Sequence, residues 1–181
     1  MLRNLLIILF SILALKASAE NKDKIVKKLK DTDNLNFQFE QNINGKIDNG
    51  VCTIEYPKKI YCEYSKNGKL LVSNGKSLVI KTLSSYYRYP LEKTPLNLIL
   101  NKSFLINKIY DLNEKIIDQS YINYTITDNE NKIDIFFDIE NFNLIGWQTN
   151  DIYQNSTLTL LSSISINKKI DKNLFILPTQ N

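Results

Sequence analysis

Period-two alternation of apolar and polar residues is the feature that most constrains this chain. The segment LNFQFEQNI alternates from Leu35 to Ile43 in the pattern of a strand with one face in water. Similar patterns recur in YINYTIT, KIDIFFDI, LIGWQTN and STLTLLSSISI, with turn sequences at DNEN and ENFN. Such strands must bury their apolar faces together, so the sequence predicts an antiparallel sheet with one apolar side.

The two cysteines lie in CTIEYPKKIYC, on either side of Pro57. A hairpin centred near Pro57 would pair Cys52 with Cys62 and Ile54 with Ile60, and a shift of one residue would break both matches. Directly opposed cysteines can form a structural disulfide, and two free buried thiols are the alternative. Redox catalysis is disfavoured because the C-x-x-C spacing is absent.

A second hairpin is predicted in KLLVSNGKSLVI, where an Asn-Gly pair separates two apolar runs. These residues suit a two-residue type I′ turn. That turn would pair Ser73 with Lys76 and Leu71 with Leu78.

Two short helices are predicted beside the strands. In NKDKIVKKLKD, Ile25, Val26 and Leu29 share one side of an amphipathic helix. In EKTPLNLILNK, Thr94 suits an N-cap and Pro95 the first helical position. This second helix is apolar on most sides, which predicts either a buried element or a mobile one over an apolar opening.

Other parts of the chain are less clearly patterned. Residues 102–116 give no assignable pattern, and LFILP predicts a short terminal strand closed by Pro178. Together the elements predict a curved antiparallel sheet wrapped around helices. The pattern leaves open whether the concave side is a packed interior or a pocket.

The N-terminus predicts export. MLRN is followed by the eleven-residue apolar run LLIILFSILAL and by the small-x-small residues Ala17, Ser18 and Ala19. We therefore expect residues 1–19 to be a cleavable signal peptide and residues 20–181 to form one domain in an oxidising compartment. The apolar run is shorter than the roughly 20 residues needed to span a bilayer. No cysteine stands near the cleavage point, so we expect no lipid anchor there.

Several function classes are disfavoured by composition. The chain has no histidine, which removes the usual general base and the usual metal ligand, and its five glycines are spread singly. Its lysines are scattered among acidic and apolar residues, so no nucleic-acid stripe is apparent. We expect a monomer with no catalytic residue, no metal and no cofactor.

The order of several segments resembles the periplasmic LolA family of outer-membrane lipoprotein carriers. The matching segments are FQFEQ, YPKKIYCEY, LLVSNGKSLVI, TPLNLIL, LIGWQTND and LFILP. The resemblance implies an α+β fold, a mainly antiparallel and unclosed half β-barrel with helices covering a hydrophobic cavity. It also implies a carrier that takes acylated lipoproteins from an inner-membrane lipoprotein-releasing ABC transporter to an outer-membrane LolB-like receptor.

The resemblance also directs attention to particular residues. We expect a cavity wall formed by Phe37, Phe39, Ile43, Ile54, Ile60, Leu71, Leu78 and Ile80, and a lid carrying Leu96, Ile99 and Leu100. Tyr56 stands where the family commonly has a gating arginine, and Ile60 where members place an aromatic residue. The glycine usual after the Trp strand is replaced in DIYQNST. Ordinary core packing is the alternative for each wall residue, and a lipid- or envelope-protein-binding sensory module is the alternative function.

Overall fold

The structure is a computed structural model that describes residues 19–66, 68–128, 131–150 and 156–180. The predicted signal segment, apart from Ala19, lies outside the described residues. The turn that lacks the family glycine, residues 151–155, also lies outside them.

The described strands form a single eleven-stranded sheet in the order β6-β5-β4-β3-β2-β1-β11-β10-β9-β8-β7. Every neighbouring pair is antiparallel, and β6 and β7 are the two edges, so the sheet is unclosed. The strands are β1 Asn34–Ile43, β2 Lys46–Glu55, β3 Lys59–Tyr64, β4 Leu70–Asn74, β5 Ser77–Lys81, β6 Tyr86–Pro90, β7 Lys115–Ile117, β8 Tyr121–Asp128, β9 Asn131–Asp138, β10 Leu144–Asn150 and β11 Ser156–Ile166.

Three α-helices and one 3-10 turn accompany the sheet in the described residues. They are α1 (residues 19–31), the 3-10 turn Leu91–Lys93, α2 (Leu96–Leu100) and α3 (Lys102–Asp111). The predicted first helix is confirmed, with Ile25, Val26 and Leu29 all buried. Helix side chains and the concave side of the sheet form one apolar cluster. The α+β, unclosed antiparallel architecture expected from the sequence is therefore confirmed.

The β2–β3 hairpin has the predicted register. Cys52 lies opposite Cys62 and Ile54 opposite Ile60, with the turn at residues 56–58. The two cysteine sulfurs are joined as a disulfide. The disulfide therefore links two strands on the concave side.

The predicted register of the β4–β5 hairpin is wrong by two residues. Ser73 pairs with Leu78 and Leu71 pairs with Ile80. The Asn74 carboxamide oxygen accepts from the backbone N–H groups of Lys76 and Ser77, at 3.0 Å each, so the loop is longer than a two-residue turn. A shift of two residues keeps every side chain on its predicted face.

The lid helix and the segment after it depart from the sequence expectations. The Thr94 hydroxyl donates to the Leu91 carbonyl and does not cap α2. The unassigned residues 102–116 contain α3, whose N-cap Asn101 accepts from the Phe104 N–H, followed by β7. A mixed polar sequence such as KSFLINKIYD gives a weak amphipathic signal, which explains why α3 was not predicted.

The terminal LFILP segment is not a strand, contrary to the prediction. It forms a turn and an irregular tail whose Phe175 is buried. The Lys59 ammonium lies 5.6 Å from the Phe175 ring centroid, and the Lys81 ammonium donates to the Thr179 carbonyl at 2.9 Å. Both lysines lie on the convex face, so the tail covers the convex side of β3–β5 instead of pairing with a sheet edge.

Candidate binding cavity

The concave side of the sheet collects most of the predicted wall residues. The residues buried in its apolar cluster are Phe37, Phe39, Ile54, Ile60, Leu71 and Leu78. Ile80 is half-buried against the cluster, whereas the half-buried Ile43 lies outside it. The alternation pattern therefore places the wall residues on the predicted face, with Ile43 at its margin.

Helix α2 covers this concave floor with the three predicted lid residues. Ile99 and Leu100 have no exposed surface, and Leu96 is half-buried against the cluster. The neighbouring Leu98 is also buried, so the helix presents apolar side chains in several directions. A helix of five residues is unstable in water by itself, so packing on the bowl holds α2 in place.

The cavity between the lid and the floor is almost filled. Its volume is about 30 Å³, room for one or two water molecules and not for an acyl chain. The residues around it are Phe39, Gln41, Cys52, Ile60, Cys62, Tyr64, Leu71, Leu96, Trp147 and Thr159. Leu96 of α2 lies in its wall, and we call this filled arrangement the closed state.

Gly50 shapes this cavity by letting an aromatic ring fold over the sheet. A Cβ atom at Gly50 would lie 2.8 Å from Phe39 Cε1 and would clash with the Glu63 carbonyl oxygen. With hydrogen at that position, the Phe39 ring packs edge-on against Tyr64, their centroids 4.9 Å apart. A side chain at position 50 would displace a wall residue.

The lid is attached to the β2–β3 turn through a backbone hydrogen bond. The Lys58 N–H donates to the Leu100 carbonyl at 2.9 Å, at the C-terminal end of α2. The fully buried Ser73 hydroxyl donates to the Lys58 carbonyl at 3.0 Å and accepts from the Gly75 N–H. Ser73 thus fixes the turn that holds the lid.

Lys102 fixes the chain where it leaves the lid. Its ammonium donates to the Thr32 carbonyl at 2.9 Å, just beyond α1, and lies 3.6 Å from an Asp33 carboxylate oxygen. It also lies 5.6 Å from the centroid of the Tyr56 ring. The Lys102 ammonium lies at the C-terminal end of α1, where the unpaired carbonyl groups of the helix attract a cation.

The predicted gate residue, Tyr56, lies in the β2–β3 turn and is 8% exposed. Its hydroxyl has no hydrogen-bond partner among the described residues, and the same is true of the Asn97 side-chain oxygen on α2. Burial raises the pKa of the Tyr56 phenol above its usual range, so the group stays neutral. The closed state therefore leaves two buried polar atoms unpaired near the lid.

The few polar groups facing the cavity are neutral and bonded to one another. The Tyr64 hydroxyl donates to Gln41 at 3.0 Å, and the Gln41 amide donates to the Thr159 hydroxyl at 3.1 Å. Burial, together with the nearby Asp48 carboxylate, raises the pKa of Tyr64 to about 12. No group of His, Cys, Asp and Glu within the described residues could hold a metal. These groups provide an apolar binding surface with a short polar margin.

Sequence reasoning did not single out every residue of the site. Gln41, Gly50, Trp147 and Thr159 were not predicted as site residues, although alternation within β1, β10 and β11 could have placed three of them. Gly50 carries no such signal because its role depends on the position of Phe39. Trp147 reaches the bowl through an edge-on contact with Phe37, their centroids 6.3 Å apart.

A larger apolar groove lies on the opposite, convex face. Its volume is about 260 Å³, and it is lined by Tyr121, Phe136, Ile145, Gln148, Leu158 and Leu160. The sheet separates this groove from the bowl. None of the predicted site residues lies in it.

The sequence of this chain matches a known protein family over most of its length. The family described as "Outer membrane lipoprotein carrier protein LolA" matches residues 30–177. The chain belongs to the LolA family. The match spans β1 to β11, so it includes the bowl, the lid and the disulfide hairpin. No curated protein matches the chain.

Solved structures of similar fold include three from different bacteria. A LolA superfamily protein from Nitrosomonas europaea is 10% identical, with 88% of this chain and 97% of that chain covered and a TM-score of 0.45. Lipoprotein LppX from Mycobacterium tuberculosis is 10% identical, with coverages of 86% and 99% and a TM-score of 0.47. A putative outer membrane lipoprotein-sorting protein domain from Vibrio parahaemolyticus is 10% identical, with coverages of 87% and 97% and a TM-score of 0.47.

The matching family is described as a carrier, and no enzymatic family is indicated. Among the helices in the described ranges, none is long and apolar enough to cross a membrane.

Proposed function

We propose that the chain is a periplasmic carrier that holds the acyl chains of lipoproteins in the bowl beneath α2 and shuttles them from the inner to the outer membrane. The observation that carries this proposal is an apolar bowl covered by a short apolar helix with few polar attachments. Family membership supports the same function.

Acyl chains need such a surface because water excludes them strongly. Burial of one methylene contributes about 0.8 kcal/mol, so a sixteen-carbon chain left in water costs on the order of 12 kcal/mol. The bowl supplies aliphatic and aromatic side chains with no ionised group among them. A surface of this kind accepts hydrocarbon without selecting a particular headgroup.

Cargo would enter by competing with α2 for the bowl. Leu96, Leu98, Ile99 and Leu100 occupy the site in the closed state, each contributing roughly 1.5–3 kcal/mol when fully buried. An acyl chain replaces those contacts with its own, so the lid can leave at a small net cost. The unpaired Asn97 oxygen on α2 further reduces the advantage of the closed state.

The proposed route sets the partners and the compartment. Export directed by the predicted signal peptide would place the chain in the periplasm. We expect it to act there as a monomer. Acylated lipoproteins would be received from an inner-membrane lipoprotein-releasing ABC transporter and delivered to a LolB-like receptor where one exists. No cofactor takes part, because transfer of hydrocarbon between apolar surfaces involves no covalent step.

Photo-crosslinking from two tyrosines on the same strand tests this function. Tyr64 lines the bowl and Tyr61 lies on the convex side of β3. Benzoylphenylalanine in place of Tyr64 should crosslink acylated lipoproteins in the periplasm, identified by mass spectrometry. The same substitution at Tyr61 is the matched control and should not crosslink them.

The products separate the possible outcomes. Acylated lipoproteins at position 64 and not at position 61 support the carrier. Free lipid alone, or one unacylated protein alone, at position 64 contradicts lipoprotein transport and favours a sensory module. Equal crosslinking from both faces contradicts the assignment of the bowl.

A further inference from the structure

Three polar side chains line the cavity beneath the lid and form a chain of hydrogen bonds. The Tyr64 hydroxyl donates to the Gln41 side-chain oxygen, and the Gln41 amide donates to the Thr159 hydroxyl. Tyr64 and Thr159 are 6% and 2% exposed, so these polar groups are buried in a mostly apolar wall. We call the three residues the polar triad. Buried polar groups cost free energy unless each finds a partner, so any hydrogen bond that the triad leaves unmade is informative.

The chain of hydrogen bonds runs in one direction and ends on a hydroxyl that still has a proton to donate. Tyr64 donates and Thr159 accepts, with Gln41 between them. The Thr159 hydroxyl proton has no acceptor among the residues that the structure describes. The Gln41 amide also has a second N–H besides the one that bonds to Thr159. The triad therefore offers donor hydrogens to a ligand that accepts hydrogen bonds.

The triad lies where the apolar wall of the bowl ends. Along the concave side of β1, Leu35, Phe37 and Phe39 are buried, whereas Gln41 and Ile43 are half-buried. Gln41 and Thr159 lie directly opposite each other across β1 and β11. The polar triad therefore marks the end of the bowl that is nearer to solvent.

An ion pair lies beyond the triad at the same end of the bowl. The Lys69 ammonium is 3.8 Å from an Asp48 carboxylate oxygen and 3.8 Å from the centroid of the Tyr64 ring. Asp48 lies opposite Gln41 across β1 and β2. The Lys69 and Asp48 side chains are 24% and 36% exposed, so both reach solvent. Polarity therefore increases from the apolar floor, through the neutral triad, to the ion pair.

We propose that the polar triad binds the carbonyl oxygen of an acyl ester, with the Thr159 hydroxyl and the Gln41 amide as donors. An acylated lipid has hydrocarbon, carbonyl and polar head in the same order as the floor, the triad and the ion pair. The carbonyl is common to acyl esters, so the triad selects them over plain hydrocarbon without selecting a headgroup. This inference rests on the proposed carrier function, because that function supplies the acyl ligand.

The lid controls access to the triad. Leu96 of α2 lines the same cavity, whose volume of about 30 Å³ has room for one or two water molecules. Displacement of α2 by an acyl chain would open the triad, and the carbonyl oxygen would then replace water on its donors. A hydrogen bond that replaces one to water contributes a modest preference, so the expected effect is a ratio of affinities and not an absolute requirement.

Two matched glycerides test this recognition on the exported chain. Dodecanoyl glycerol and its ether analogue, dodecyl glycerol, share headgroup and chain length, and the ether lacks the carbonyl. Each is titrated below its critical micelle concentration against a bound fluorescent acyl probe, and the ratio of the two dissociation constants is measured. We expect the ester to bind roughly three- to tenfold more tightly, the advantage of one or two hydrogen bonds.

Substitutions of threonine separate recognition from packing. Thr159→Val keeps the shape of the side chain and removes the hydroxyl, so the preference for the ester should disappear. Thr159→Ser keeps the hydroxyl and should keep the preference. The matched control is Thr53→Val on the convex side of β2, where the lost hydroxyl donates to Asn36 at 2.8 Å, and it should also keep the preference. Circular dichroism verifies that the three variants are folded.

Two results would overturn the proposal. Equal affinity of the parent protein for ester and ether would do so without any variant, and so would an unchanged preference in folded Thr159→Val. Crosslinking through position 64 measures lipoprotein carriage independently. Crosslinked lipoproteins together with equal glyceride affinities contradict the role of the triad alone, whereas failure of both glycerides to bind contradicts the acyl-binding bowl and, with it, recognition of the carbonyl.

Discussion

Helices α1 and α2 both cover the concave face with apolar residues, yet they are attached to the protein very differently. α1 is bonded to distant segments through Asn21 to Glu114, Lys22 to the Tyr110 carbonyl, and Asn167 to the Asp31 carbonyl, at 2.8–3.1 Å. Within the described residues, α2 is bonded to the β2–β3 turn by the Lys58 N–H, which donates to the Leu100 carbonyl. The difference supports the proposal that α2 is a displaceable cover and that α1 belongs to the scaffold.

The largest expected effect comes from truncating one isoleucine on each helix. Ile25 on α1 and Ile99 on α2 both have no exposed surface, so they form a matched pair. Ile25→Ala should lower the free energy of unfolding by about 2–5 kcal/mol without increasing the binding of a fluorescent acyl probe. Ile99→Ala should cost less global stability and increase probe binding, because it weakens the closed state. Urea denaturation and probe fluorescence measure the two effects.

Equal loss of stability in the two variants, with no difference in probe binding, would contradict the distinction between the helices. A gain in probe binding for Ile25→Ala alone would mean that α1, and not α2, is the displaceable cover.

The disulfide hairpin that carries the lid attachment gives the next largest effect. Replacing Cys52 and Cys62 together by serine should lower the free energy of unfolding by roughly 2–3 kcal/mol, because the unfolded chain gains entropy. Acyl-probe binding should change little, since the strand pairing around the cysteines remains. Chemical denaturation and probe titration of the folded variant check both statements, and complete loss of probe binding would mean that the disulfide shapes the site.

Removing the cation at the end of the lid should have a smaller effect. Lys102→Met keeps the aliphatic stem but removes the bond to the Thr32 carbonyl, so we expect about 1–2 kcal/mol lower stability and a modest rise in probe binding. Lys108→Met on the same helix is the control. An identical response of the two variants would show that Lys102 does not fix the exit from the lid.

The smallest expected effect concerns the unpaired phenol of Tyr56, which lies beside Leu29 and Thr32 at the end of α1. Tyr56→Phe removes a buried hydroxyl that has no partner among the described residues, so the free energy of unfolding should rise by about 1 kcal/mol with little change in probe binding. Thermal unfolding and probe titration measure this, and a loss of stability would mean that the hydroxyl is bonded in solution.

The buried phenols of Tyr56 and Tyr64 make the stability of the fold depend on pH in the alkaline range. Burial raises the folded pKa of Tyr56 and Tyr64 above the unfolded value near 10, so their contribution to stability is complete below pH 10. It is lost as pH rises from 10 towards 12, because the unfolded phenols ionise first. Tyr56→Phe should reduce this loss in urea denaturation series at each pH.

The strand register could be predicted correctly where two independent sequence patterns required the same pairing. The β2–β3 register followed because cysteines and isoleucines both required it, whereas the β4–β5 register failed because the Asn74 side chain accepts two backbone N–H groups and lengthens the turn. The edge strand β6, YYRYP, was not predicted because its aromatic run does not alternate and ends in proline. LFILP was misassigned because an apolar run alone cannot distinguish a strand from a tail that packs on the convex face.

The residues that line the site could be predicted from the sequence, but whether the site is open or filled could not. Alternation places Phe37, Ile60 and Leu71 on one face, because strand geometry fixes which side chains point together. Whether the resulting bowl is open depends on how α2 fills it, and that packing is a tertiary property. The same limit applies to Gly50, whose importance appears only when the Phe39 ring is in place.

Hydrogen exchange at the Lys58 amide tests the movable lid most directly, because this N–H bonds to α2 and not to another strand. Exchange should be slow in the empty protein and much faster when acylated lipoprotein is bound, while the Tyr64 amide, bonded to the Lys69 carbonyl across the β3–β4 turn, stays protected. Unchanged protection of Lys58 in a protein shown to hold acyl chains would contradict displacement of α2.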